Sequence, residues 1–106
     1  MTAENAKIRQ ERAAERKPFM ARVRYRRGRF RAEVEVIDVS PLGARVRSLD
    51  VLRMGDPIWL SFPGLEPIEA IVAWADCFVC GCRFVRPMHS AVFELLLSRR
   101  QTAVGW

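Results

Sequence analysis

Ala21-Arg22-Val23-Arg24-Tyr25-Arg26-Arg27-Gly28-Arg29-Phe30-Arg31-Ala32-Glu33-Val34-Glu35-Val36 is the stretch that decides the fold. Ala21, Val23 and Tyr25 alternate with Arg22, Arg24 and Arg26. After a turn at Arg27-Gly28-Arg29, Phe30, Ala32, Val34 and Val36 alternate with Arg31, Glu33 and Glu35. A period of two sends successive side chains to opposite faces of a strand, so each segment has one core face and one wet face. Two such segments around a glycine turn predict an antiparallel hairpin.

The same signal recurs downstream in shorter pieces. Asp38-Val39-Ser40-Pro41-Leu42-Gly43 forms a loop, and Ala44 and Val46 alternating with Arg45 and Arg47 predict a third strand. A turn around Gly55 spans Leu52 to Asp56. Ile58, Leu60 and Phe62 predict a fourth strand, ended by Pro63-Gly64, with a fifth over Ile68 to Trp74 and a sixth over Val79 to Val85. Six short strands joined by tight turns favour a barrel or a sandwich over a parallel α/β arrangement. Pro87 ends the strand region. Ser90 is the expected cap of one C-terminal helix, with Glu94 in its first turn and Arg99 and Arg100 near its end. Val92, Phe93, Leu95, Leu96 and Leu97 make that helix apolar on most sides, so it should pack over a barrel mouth.

Upstream, residues 1–17 are charged and offer few large apolar groups to bury, which predicts a flexible basic arm. At 106 residues the chain suffices for one domain. The expected organisation is an arm over 1–17, a folded body over 18–100 and a tail over 101–106. The formal charge of +6 is uneven: residues 1–31 hold eleven Lys/Arg against three Glu, a net +8, and residues 32–106 hold seven against nine, a net −2. A basic segment on a near-neutral body suggests an anionic partner. No apolar run reaches the roughly 18 residues of a membrane span, and the charged N-terminus is unlike a secretory signal, so a soluble cytoplasmic protein is expected.

Cys77, Cys80 and Cys82 are odd in number, which argues against a disulfide framework, and a closed zinc site needs four ligands. They read as small apolar residues on a strand, with no metal expected. No Ser/His/Asp or Cys/His arrangement, H-E-x-x-H, P-loop or G-x-G-x-x-G occurs, and the lone His89 reads as a helix-start residue. A non-enzymatic protein is expected, with no cofactor. Binding chemistry is better supplied. Arginines can neutralise phosphates and bond guanine O6 and N7, Asp38 can accept guanine amino and imino hydrogens, and Ser40 adds an adaptable hydrogen bond. Gly43 allows close backbone approach or a positive φ. Equally, Asp38 and Ser40 can do no more than close a local turn through nearby backbone.

These residues resemble a PilZ domain, the bacterial cyclic di-GMP receptor module. Arg12-Ala13-Ala14-Glu15-Arg16 matches the family's R-x-x-x-R, and Asp38–Gly43 matches its [D/N]-x-S-x-x-G, 26 positions after Arg12. Gly43-Ala44-Arg45-Val46, Gly55-Asp56, Val72-Ala73-Trp74 and Gly81-Cys82-Arg83-Phe84 follow in the family's order. R-x-x-x-R also occurs at Arg22–Arg26 and Arg27–Arg31, but these lie in the hairpin, where alternating arginines belong to an exposed face. The resemblance implies an all-β, six-stranded antiparallel barrel with one C-terminal helix. It further implies a cyclic di-GMP site made by Arg12, Arg16, Asp38, Ser40 and Gly43, with Trp74 near a base. The arm would wrap the ligand and so change binding of an unidentified protein effector, in a monomer or weak dimer with no DNA partner. Glu11 stands where many members carry a further arginine, and would repel ligand phosphates. The alternative reading is a PilZ-like protein–protein interaction module that binds no nucleotide; a third is a basic small barrel that binds RNA or DNA.

Overall fold

The computed structural model describes residues 16–104, with side chains through Arg99. The expected arm, including Glu11 and Arg12, lies outside the described residues apart from its last two positions. Six strands and a helix follow in order: β1 (Lys17–Arg27), β2 (Phe30–Ser40), β3 (Gly43–Arg47), β4 (Pro57–Ser61), β5 (Ile68–Asp76), β6 (Val79–Phe84) and α1 (Ser90–Val104). The strands close into an antiparallel barrel in the order β1-β2-β3-β6-β5-β4. Two three-stranded meanders, β1-β2-β3 and β4-β5-β6, are thus joined along β3–β6 and β1–β4.

The leading hairpin forms as its alternation predicts. Arg27 faces Phe30 across a two-residue turn, and Gly28 takes φ +59°, the positive value that lets a tight turn follow the twist of its strands. Val23, Tyr25, Val34 and Val36 point inward and join Val46, Ile58, Leu60, Phe62, Ala70, Val72 and Phe84 in one core. Phe30 departs from its expected place: it is 46% exposed, because it sits at the hairpin's end, where its ring meets Tyr25 edge to face at 6.1 Å and the Arg27 guanidinium at 6.0 Å. The Tyr25 hydroxyl donates to Asp50 Oδ2 at 2.6 Å, and Arg27 bridges Asp50 and Asp56 at 3.0 and 3.6 Å, which fastens the β3–β4 loop to β1. Burial, reinforced by Asp50, pushes the Tyr25 phenol pKa up.

The strand registers shift at three places: in β1 between Pro18 and Ala21, where Met20 takes φ +52°, and at two single-residue bulges that reverse the alternation. In β2, Val36 pairs with Val46 but Asp38 pairs with Arg45, so Ile37 is an extra residue. In β5, Val72 pairs with Cys82 but Trp74 pairs with Gly81, so Ala73 is extra. An added residue reverses the phase of everything after it. Val39 therefore becomes a core residue, fully buried, while Asp38 and Trp74 move to the barrel's outer side.

Helix α1 buries Phe93 and Leu96 in the barrel core, packs against β1, and is tied by Arg99 Nη1 to the Pro63 carbonyl at 3.2 Å. Its cap is His89 rather than Ser90. The His89 Nδ1 accepts from the Ala91 N–H at 3.0 Å and its carbonyl from the Phe93 N–H at 2.9 Å, so the ring satisfies an N–H that the helix start leaves open. Glu94 then falls beyond the first turn, and the helix runs to Val104, past Arg100. Cys80 and Cys82 are buried as expected, but Cys77 is exposed, because it occupies the β5–β6 turn with φ +55°.

Candidate functional site

The bulges create a row of outward positions that crosses four strands. Asp38 on β2 pairs with Arg45 on β3, Arg45 with Gly81 on β6, and Gly81 with Trp74 on β5. A second row runs alongside it: Ser40, Gly43, Arg83, Ile71. Between and above these rows lies an open groove of about 770 Å³, lined by Arg16, Ser40, Gly43, Trp74, Gly81 and Arg83 among others.

Glycines shape this wall. A Cβ on Gly81 would collide with the Trp74 indole, so the missing side chain is the space in which the ring lies. A Cβ on Gly43 would collide with the Cys82 carbonyl of β6. The close approach at Gly43 is therefore made by a neighbouring strand, without a positive φ.

Asp38 is buried, and its two oxygens differ. Arg45 Nη2 donates to Oδ2 at 2.6 Å, while Oδ1 makes no hydrogen bond among the described residues and has Arg16 Nη1 3.7 Å away. The pair with Arg45 fixes the carboxylate, while Oδ1, itself buried, is left without a hydrogen bond among the described residues. Ser40 behaves partly as a turn residue: its Oγ accepts from the Leu42 N–H at 3.1 Å, and its own proton stays available for donation. The Pro41-Leu42 tip is held by backbone bonds from the Phe84 N–H to Leu42 and from the Met88 N–H to Pro41, at 2.8 and 2.7 Å. The loop is thus braced by the segment leading to α1.

Of the residues expected from sequence, Arg16, Ser40, Gly43 and Trp74 line one groove and Asp38 adjoins it through Arg16; Arg12 lies outside the described residues. Two residues of this surface were not singled out by the sequence reading. Arg45 orients Asp38, and exposed Arg83 adds a cation to the wall with no ion pair among the described residues. The signal for Arg83 was its alternation with buried Cys82 and Phe84. Arg45 alternates in the same way with buried Ala44 and Val46, but its place opposite Asp38 depends on the Ile37 bulge and has no mark in the sequence.

Among the described residues, no helix is long and apolar enough to cross a membrane.

The barrel's outer wall thus brings arginines, a carboxylate and an indole to or beside one groove. Residues 10–99 match the PilZ domain, and the chain belongs to that family, whose general role is reception of cyclic di-GMP. No curated protein matches the chain.

Proposed function

We propose that this chain is a non-catalytic cyclic di-GMP receptor, with the ligand held between Arg12/Arg16 and the surface formed by Asp38, Ser40, Gly43 and Trp74. The observation that carries this reading is the meeting of the two motifs: Arg16, the last residue of R-x-x-x-R, lies against Asp38, the first of D-x-S-x-x-G. Asp38 Oδ1 accepts the amino and imino hydrogens of a guanine edge, exchanging its loose contact with Arg16 for two directed bonds. Arg16, so released, turns to phosphate or to guanine O6 and N7, which match the fork of a guanidinium. Ser40 donates its hydroxyl proton, the half-buried Trp74 ring offers a face to a purine, and Arg83 balances phosphate charge from the far wall.

Ligand binding fixes the Arg12–Arg16 segment against the barrel and so alters the surface offered to a protein partner. Calorimetric titration with cyclic di-GMP, with GTP as control, tests this. Saturable binding of cyclic di-GMP that is lost in Arg16→Ala supports the receptor; binding unchanged in Arg16→Ala and in Asp38→Ala removes the site.

A further inference from the structure

A second concavity, of about 450 Å³, lies on a different arc of the barrel, over β1, β2 and β4, and shares no lining residue with the first. Arg24, Arg26, Arg31 and Trp59 line it. Arg26 sits directly opposite Arg31 on β2 and directly opposite Trp59 on β4. Its guanidinium lies over the Trp59 ring, 5.4 Å from the centroid. Arg24 is two residues along the same strand face, about 6.7 Å away by strand geometry.

Like charges facing each other across two strands are destabilising, and the one carboxylate lining the concavity, Glu33, stands opposite Arg24 rather than opposite Arg26 or Arg31. Arg24 and Arg31 make no hydrogen bond or ion pair among the described residues. Glu33, the acid opposite Arg24, is engaged instead by Arg22 at 3.8 Å. Arg26 reaches only the Gly28 carbonyl, at 3.3 Å. The arc therefore presents two guanidiniums without an ion pair among the described residues, Arg24 and Arg31, beside a third, Arg26, that lies over an indole, with Glu33 as the one carboxylate of the lining. An acidic peptide would answer the charge and leave the stack unused. A ligand that alternates anionic groups with planar rings uses both.

We propose that this arc binds single-stranded nucleic acid, with Trp59 as the stacking platform and Arg24, Arg26 and Arg31 as phosphate ligands. The function is separate from reception of cyclic di-GMP, since the two surfaces are built from different residues.

Fluorescence anisotropy of the full chain with a labelled short oligouridylate, over a salt series, tests it. Because the basic N-terminal segment also attracts anions, the readout lies in the variants. Trp59→Ala is expected to weaken binding about tenfold with the salt slope unchanged, as loss of one stacked base does. The Arg24→Gln/Arg31→Gln pair, exposed and unbonded, is expected to fold normally and to reduce the salt slope by about 1.4, two contacts' worth for a single strand. Asp38→Ala is expected to bind the oligomer as the parent does. The proposal is overturned if the arginine pair and Trp59→Ala both bind like the parent, if Asp38→Ala abolishes binding, or if a polyglutamate peptide competes as well as unlabelled oligouridylate.

Discussion

Asp38 is buried, charged and only half engaged, and the proposed site turns on it. Asp38→Asn keeps the shape but removes the charge that Arg45 and Arg16 answer. It is expected to lower stability by only about 1 kcal/mol, since Arg45 is substantially exposed, while weakening cyclic di-GMP binding at least tenfold. Denaturant melts and calorimetry on the same sample separate the two effects. The cysteines make an independent test of the barrel interior. Burial pushes the Cys80 thiol up to about 11 and the Cys82 thiol up to about 12, against an ordinary value near 9. At neutral pH a thiol reagent is expected to modify Cys77 alone; reaction at two or three sites in the folded protein would contradict the placement. Above pH 9 the unfolded thiols ionise while the folded ones keep their protons. The unfolded state then binds fewer protons, and stability should fall from about pH 9 until the folded thiols titrate near 11 and 12. Cys80→Ala/Cys82→Ala should flatten that decline, whatever its effect at pH 7.

The elements depend on the two bulges. Deleting Ile37 takes out only the extra residue: Val36 and Val39 keep their inward places and Asp38 stays outward, opposite Arg45. The deletion variant is therefore expected to keep its core and to give a cooperative thermal melt; loss of the folded state would contradict the reading of Ile37 as the extra residue. The glycines grade similarly. Gly81→Ala meets a ring that can swing, and Gly43→Ala meets strand backbone that cannot. Both should destabilise by about 1–3 kcal/mol, with Gly43→Ala the worse, and Gly81→Ala alone should change Trp74 fluorescence. These same features mark the limit of the sequence. The hairpin was legible because sixteen residues alternate around a glycine turn, and the later strands because turn residues punctuate them. Ile37 and Ala73 carry no local mark of being extra, since a bulge is defined by the partner strand. Phase is therefore lost where the site begins, and with it the pairing of Arg45 with Asp38. The His89 cap was hidden because serine is the commoner cap and histidine acts here through a ring nitrogen. The motif residues, by contrast, could be chosen from the sequence through the family resemblance, and the structure brings Arg16, Asp38 and Ser40 together.

For the molecule as a whole, the barrel separates two surfaces. One arc, across β2, β3, β6 and β5, holds a carboxylate, an indole and two glycines at a groove; the other, over β1, β2 and β4, holds arginines beside Trp59. Neither needs a catalytic group, and a rigid closed sheet suits both, since it holds widely spaced residues at fixed separations. The barrel should also remain folded when one of the groove's cations is removed: Arg16→Ala is expected to leave the melting temperature within about 2 °C of the parent, as for an exposed side chain. The most direct measurement is calorimetric titration of the full chain with cyclic di-GMP at physiological salt, repeated on Arg16→Ala and Asp38→Asn. The account predicts saturable binding by the parent and its loss in both folded variants. Absence of binding by the parent would contradict it and turn attention to a PilZ-like interaction module, with Glu11→Arg the first variant to make.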